Sequence, residues 1–494
     1  MTDASGVFAP YPGSARDEAV GAAGSLRPAY RPVLQVLDEL GPGGISALVD
    51  EVARERRDRG VVVGGHVDGR LQERPLPLCP VPRLLSAADW SSVARGAEQR
   101  HRALNAFLAD VYRPAGRRRT DPDRHAEVVR AGVVPAWVVA ASPGLRASAA
   151  GLAAPGQPRV TVSGLDLRHG PGGWVAVADD LSTPSGIGHA ISDRVSSRAA
   201  LPELHAAAEA AGLTDPGEAV PLLRAALAEA APPACTGTPQ LALLSEGPHS
   251  SSWFEHRLLA AAMDVPIATP DTLWPARGGG VAVQVDGQRL RVDVLHRQLD
   301  EAGLAAHLTP SGAPLDALLG AAVRAGELAL ANVPGNGVAD GEVTYRYVPE
   351  LIRFYLGEEP VLDTVRTWLL ADDADLAEVR DRLHELVVRP VDGYGGSGVV
   401  VGPRCSAAEL AELQAEVAAT PHRFIAQEPV DGSTVPTVVD GALVPRAAGL
   451  RVFTVAGSTT RALPAPWTRV APVEGPAALD GPYGSKDTWL LPPS

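Results

Sequence analysis

Hydrophobic positions change their period several times along this chain, and each change marks an element. From Arg27 onward, Tyr30, Val33, Leu34, Val36 and Leu37 recur at helical spacing until Gly41-Pro42 interrupts them, and a second helix follows to Arg59. VVVGGHVDGRLQERPLPL (61–78) then predicts a hairpin turning at Asp68-Gly69. The clearest helix covers 85–112. There Trp90, Val93, Ala97, Leu104, Phe107, Leu108 and Val111 share one face, Ser86 stands at the N-cap, and Glu98 with Arg102 forms an i,i+4 pair. His101 within this pattern reads as a packed residue, and the basic stretch 113–124 as a solvated connection. Further on the period drops to two. RVTVSGLDLR and WVAVADD, joined by a turn at His169–Gly173, read as an antiparallel hairpin. If Arg168 pairs with Trp174, Asp166 faces position 176, and alternation puts Ala176, Ala178 and Asp180 on the face of Asp166.

A turn at Pro184, Ser185 and Gly186 and alanine-rich helices (199–231) lead to PPACTGTPQ (232–240), the best linker. Beyond it LALLS, the helical WFEHRLLAAAM and VPIAT give a βαβ pattern, hence a small parallel sheet. VAVQVDGQRLRVDVL (281–295) reads as a hairpin, LALANV (328–333) as a strand, and 347–359 and 374–387 as helices. VVRPVDGYGGSGVVVGP (387–403) reads as strand, glycine loop, strand, and is followed by a helix, the strand RFIAQEPV, a hairpin and the strand LRVFTVAG. The fold class is therefore α/β (α+β). The expected division is a flexible tail over 1–26, a helical and carboxylate-bearing region over 27–235, a small βα domain over 236–335 and a glycine-loop region over 336–494. At roughly 100–200 residues per domain, the 494 residues suit that division.

Charge and cysteine content narrow the function. The formal net charge is −14 and no basic run or aromatic–basic stripe stands out, so nucleic acid is not an expected partner, although a local cationic pocket can still take a nucleotide. Cys79, Cys235 and Cys405 are too scattered for a disulfide framework or a zinc site, and a reducing cytoplasm is the expected setting. Neither a signal peptide nor a membrane span is expected, since VVPAWVVAA (133–141) is about half the length a membrane helix needs.

Three features carry candidate chemistry. The glycines of the 387–403 loop allow backbone amides to turn toward a phosphate, with Arg389 completing an anion site. The hairpin carboxylates Asp166 and Asp180 would project together, an arrangement that binds Mg²⁺ alongside substrate phosphates, or else a solvated edge. Glu255 and His256 open their helix either as site residues or as a charge favourable to the helix N-terminus beside an ordinary histidine.

Taken in order, ALNAFLADVY, DDLSTPSG, FEHRLLA, ANVPGNGVAD with YRYVPELIRFYLGEEP, PVDGYGGSGVVVGP, FIAQEPV, STVPT, LRVFTVAG and GSKDTW resemble the circularly permuted ATP-grasp family, type 2, relatives of the glutathionylspermidine synthetase group. The resemblance implies a permuted ATP-grasp fold with a small central βα domain of the pre-ATP-grasp kind. It also implies an ATP- and Mg²⁺-dependent ligase that joins a small-molecule carboxylate, peptide-like ones included, to an amine through an acyl-phosphate. By position, Asp392, Gly393, Gly395, Gly396 and Gly398 with Arg389 match the phosphate loop, and Gln427, Glu428 and Val430 the adenine strand. Asp166 and Asp180 match metal positions, and Arg451, Arg469 and Lys486 match cations that hold acidic groups. An α-helical partner protein is implied in the same way. The chain departs from the pattern at Ala178, where the family reads Glu in Glu-Asp-Asn, at Glu342, where lysine is common, and at Arg389, in place of a usual lysine. Those departures motivate the alternative, a pseudoenzyme that binds nucleotide or a protein partner as a regulatory or scaffold subunit.

Overall fold

The computed structural model describes residues 11–14, 16–21, 25–67, 70–113, 126–154, 156–392, 398–471 and 484–493. The Asp68-Gly69 turn, most of the basic 113–124 stretch and Gly393, Gly395 and Gly396 lie outside the described residues. Among those described, the largest sheet has nine strands. Its path runs Asp363–Thr364, Gly173–Asp180, Val162–Gly170, Ala442–Ala456, Trp467–Val470, Gly484–Leu490 and Leu78–Leu85, with Thr434–Val439 and Thr460–Ala462 paired to the long strand Ala442–Ala456. Strands from both ends of the sequence thus share one sheet. Beyond the expected 61–78 hairpin, Leu78–Leu85 is a further strand; it carries Pro80 and Pro82 and sits at the sheet edge, where the missing N–H groups cost no ladder.

The helix Ala87–Val111 covers one face of this sheet. Ser86 caps it by accepting from the Asp89 amide at 3.1 Å. Its stripe of Val93 and Ala97 packs with Leu165, Leu167, Ala176, Leu450 and Val452. His101 is a packed residue: its ring meets Thr454 Oγ1 at 2.7 Å and the Val160 carbonyl at 2.9 Å. The first helix, Arg31–Asp58, bends at Gly41, whose φ of 64° is left-handed. Of the stretch expected to be a flexible tail, the described part is instead packed: Tyr11, Asp17, Ala19 and Val20 are buried, and Asp17 bridges to Thr434 of the large sheet.

The central region holds a four-stranded parallel sheet in the order Ala329–Ala331, Val294–Arg297, Leu241–Leu244, Ile267–Ala268, as the βα pattern requires. The expected 281–295 hairpin ends at Val292; Val294–Arg297 leaves it to join this sheet. A second four-stranded sheet, antiparallel, orders Thr367–Leu369, Phe424–Gln427, Val387–Pro390 and Val400–Val401. Trp368, Val388, Phe424 and Ala426 pack with Leu413 and Val417 of the helix Ala407–Ala419. Alternation therefore turns Thr367, Arg389 and Gln427 to the opposite face.

Candidate functional site

The site is built around the hairpin Val162–Gly170/Gly173–Asp180. Its register differs from the sequence expectation: Arg168 pairs with Val175, and a bulge after Leu167↔Ala176 makes Asp166 face Ala178 rather than position 176. The bulge turns Ala176 to the helix-packed side, so the expected common face of Ala176 and Ala178 is split. Asp166, Ala178 and Asp180 remain together, because the total shift is two residues. Asp179 alternates to the other side, where Arg100 of the helix Ala87–Val111 grips both its oxygens at 2.7–3.0 Å.

On the strand beside Asp166, Arg451 is its cross-strand partner. Arg451 donates from Nε to Asp166 Oδ1 at 2.8 Å and from Nη2 to Oδ2 at 2.7 Å, while Arg469 Nη2 lies 2.7 Å from Oδ1. Burial works against a charge on Asp166, but the two guanidinium groups outweigh it and hold the carboxyl well below the usual range. Arg451 also donates to the Ser185 carbonyl at 3.2 Å and comes within 3.7 Å of Asp180 Oδ2. Asp180 is less committed: it accepts from the Ser182 and Thr183 amides at 3.3 Å, and burial raises its pKa despite Arg451. Asp340 joins this group, accepting from the Leu181 amide at 2.8 Å and from Ser182 Oγ at 3.3 Å. Burial pushes Asp340 up to about 8, opposed by the Leu181 amide and reinforced by the charges of Asp180 and Asp179.

Two residues beyond Asp340, Glu342 opens a short helix that Tyr345 fastens to the hairpin by donating to the Ala176 carbonyl at 2.6 Å. Arg389 reaches across from the small sheet and donates to Glu342 Oε1 at 3.1 Å. The positive charge expected at the phosphate loop therefore rests on the carboxylate that replaces the expected lysine. Gln427 is buried on the same face and donates to Thr367 Oγ1 at 3.1 Å. Glu428 continues the strand, its amide donating to the Arg366 carbonyl at 3.1 Å, and the Val430 carbonyl accepts from Gly432. Asp392 is exposed, 3.7 Å from Arg423, and Gly398 has φ 75° where the hairpin returns. Lys486 does not join Arg451 and Arg469. It is buried, with Nζ donating to the Val81 carbonyl at 2.8 Å, the Pro436 carbonyl at 2.7 Å and Cys79 Sγ at 3.0 Å.

Several residues here escaped the sequence reading. Arg100 could have been noticed as a charge on the apolar stripe of its helix, three residues from Ala97 and four from Leu104. Asp340 ends the family-like run ANVPGNGVAD, whose pattern assigns it no chemistry. Asn332 lies in the same run; its side chain accepts from the Thr161 and Val162 amides and donates to the Val162, Leu181 and Ser182 carbonyls. Of the Glu255-His256 pair, His256 makes a buried contact with Ser245 Oγ at 2.8 Å, and Glu255 accepts from the Gly186 and Gly188 amides.

The donor set suits anions. Arg389, Arg451 and Arg469 are fork-shaped donors matched to phosphate or carboxylate. For a divalent cation the fit is partial: Asp180 can offer an oxygen, position 178 offers only a methyl group, and both oxygens of Asp166 already accept from guanidinium groups. Among the described residues no group of three or more His, Cys, Asp or Glu side chains stands ready to chelate a metal. No helix among them is long and apolar enough to cross a membrane.

Comparison with known proteins bears on this arrangement. The family described as circularly permuted ATP-grasp type 2 matches residues 82–471. A protein of Frankia alni named putative glutamate–cysteine ligase 2-3 is 44% identical over 486 residues, covering 97% of this chain and 54% of that protein. An uncharacterized protein of Synechocystis is 32% identical over 490 residues, covering 97% and 98% of the two chains. The chain thus spans about half the length of the Frankia relatives but nearly all of the cyanobacterial one. Among solved structures, a glutathione synthetase-like effector from Globodera pallida matches with TM-score 0.54 at 10% identity over 90% of this chain and 97% of that one, a likeness of fold.

Proposed function

This chain belongs to the circularly permuted ATP-grasp type 2 family, and from that premise we propose that it acts as a carboxylate–amine ligase, binding ATP between its small antiparallel sheet and the carboxylate hairpin. One observation carries the reading: Arg389, on the Gln427 face of the small sheet, pairs with Glu342, two residues from Asp340, whose carboxylate accepts from Leu181 and Ser182 directly after Asp180. Arg389 and the adjoining loop would hold phosphates, and Gln427, Glu428 and Val430 the adenine. Arg451 and Arg469 would hold the carboxylate of the substrate. Mg²⁺ bound with the nucleotide would be held by Asp180 and would neutralise phosphate charge. Catalysis on this reading is positioning and charge neutralisation, which is most of what phosphoryl transfer asks of a protein.

The name of the Frankia relatives makes glutamate and cysteine the first substrates to try. The cysteines Cys79, Cys235 and Cys405 are all free thiols, which suits a reducing cytoplasm. An α-helical partner protein belongs to the same reading and is tested by co-purification. Single-turnover ADP formation over a panel of carboxylates and amines, headed by glutamate with cysteine, tests the activity. ADP that forms with the carboxylate and is followed by amide product once the amine is added supports it; ATP bound but never cleaved over the panel favours the second reading.

That second reading, a nucleotide-binding subunit without turnover, is favoured by Ala178 together with the Arg389–Glu342 pair. A partly exposed arginine already neutralised by a carboxylate brings less charge to a triphosphate than a lone cation would.

A further inference from the structure

In open α/β sheets the crevice beyond the carboxyl ends of parallel strands is the usual place for a ligand. Here the chain fills that crevice itself. The segment 181–188, which follows the carboxylate hairpin, is tied down from the ends of two central strands and from the helix Trp253–Met263. Asn332, after Ala329–Ala331, donates to the Leu181 and Ser182 carbonyls at 3.0 and 3.3 Å. Arg297, closing the next strand, donates to the Ser182 carbonyl at 3.3 Å, and Gln298 to that of Pro184 at 3.5 Å. Glu255, in the first turn of the helix Trp253–Met263, accepts from the Gly186 amide at 2.7 and 2.9 Å and from the Gly188 amide at 2.9 Å.

Those amides open the helix Ile187–Ala200, whose N-cap Gly186 supplies no side-chain cap of its own. A carboxylate from 67–69 residues away does that work and meets the positive end of the helix. The sequence makes room for it. A Cβ on Gly188 would stand 2.8 Å from Glu255 Cγ, and one on Gly186, at φ 127°, would stand 2.7 Å from the Trp467 ring. Between the helix amides and the hairpin stands Ser185, whose carbonyl accepts from Arg451 while Arg451 holds both oxygens of Asp166.

We propose that Glu255 is a positioning residue of the anion-binding site, fixing the 185–188 turn so that the Ser185 carbonyl keeps Arg451 on Asp166. The proposal rests on the reading of Arg451 as part of the ligand site. It carries a pH dependence. Burial pushes the Glu255 carboxyl up to about 7 against the pull of the Gly188 and Gly186 amides and of Arg451. Arg451 comes from the long strand of the large sheet; the flanking histidines, His189 and His256, are kept uncharged by burial, at about 3 each. Deprotonated Glu255 binds the amides with charge assistance, and protonation through neutrality weakens that hold.

Hydrogen exchange of the Gly186 and Gly188 amides in the full chain, corrected for intrinsic rates, tests the clamp, and crystal structures of the wild type and Glu255→Ala test its effect. The wild type is expected to lose protection at these amides by about tenfold between pH 8 and pH 6, from the loss of the charge-assisted part of the bonds. Glu255→Gln retains an acceptor and is expected to keep Arg451 in place with pH-independent protection, whereas Glu255→Ala loses both. Unchanged protection in Glu255→Ala, or Arg451 still on Ser185 and Asp166 in its structure, overturns the proposal. If Glu255→Ala does not fold, pH-dependent protection in Glu255→Gln overturns it instead. Wild-type calorimetry with ATP reports separately on the ligand: a displaced Arg451 in a protein that never binds ATP keeps the positioning role and removes the nucleotide reading.

Discussion

Gly186 shows how much a single position in this site is constrained. Its φ of 127° is closed to other residues, and a methyl group there would run into Trp467 at 2.7 Å and Phe453 at 2.9 Å. Gly186→Ala is expected to cost about 2–4 kcal/mol in urea unfolding, as strain and overpacking add. The buried ionisable groups set a pH profile whose sign follows from their directions. His101, His205 and His296 sit at about 4, and His189 and His256 at about 3, because burial disfavours their charge. The unfolded chain binds those protons first, so stability falls as pH drops from the ordinary histidine value of ~6.5. Glu255 at about 7 and Asp340 at about 8 act oppositely: the native state holds their protons above the ordinary carboxylate range, and stability falls as pH rises toward those values. Unfolding midpoints are therefore expected to peak near pH ~6.5, with Asp340→Asn flattening the alkaline limb. A midpoint that climbs from pH 6.5 to 8 contradicts this. At this scale the sequence made Asp166 and Asp180 visible by type and spacing, but Arg451 holds Asp166 from a strand 285 positions away, a contact no local pattern encodes.

Elements were legible where one face is buried and hidden where the ladder is irregular. The apolar stripe of Ala87–Val111 announced a helix and its packing face. The hairpin strands followed from alternation, but alternation has no way to place an extra residue, and the bulge after Leu167↔Ala176 changed the register. Leu78–Leu85 was hidden by its prolines, which an edge position tolerates. The helix is tied to the hairpin by a buried ion pair: Arg100 and Asp179 are each about 3% exposed. Arg100→Ala leaves Asp179 buried and uncompensated, an expected loss of about 3–5 kcal/mol in denaturant unfolding. The double replacement Arg100→Met with Asp179→Leu is expected to lose much less, since removing both charges leaves nothing unpaired.

Across the whole molecule, the order of elements was the most legible property. Runs from 103 to 489 appeared in a fixed sequence, and the structure gathers strands from 78–85, 162–180 and 442–490 into one sheet beside the small sheet of 367–427. Composition could not foresee that Arg389 and Glu342, 47 positions apart, would neutralise each other between these layers. Replacing Glu342 with Gln removes the carboxylate that competes for Arg389 and is expected to raise ATP affinity about fivefold, near 1 kcal/mol. Calorimetric titration of the full chain with ATP, with and without Mg²⁺ and beside Arg389→Ala, reads out whether nucleotide binds where the small sheet faces the carboxylate hairpin. Saturable binding that Arg389→Ala weakens at least ~10-fold is the expected result, as for the loss of a charge-assisted phosphate contact. No ATP binding to the wild type in either condition, or binding that ignores Arg389→Ala, contradicts a nucleotide site between the small sheet and the carboxylate hairpin.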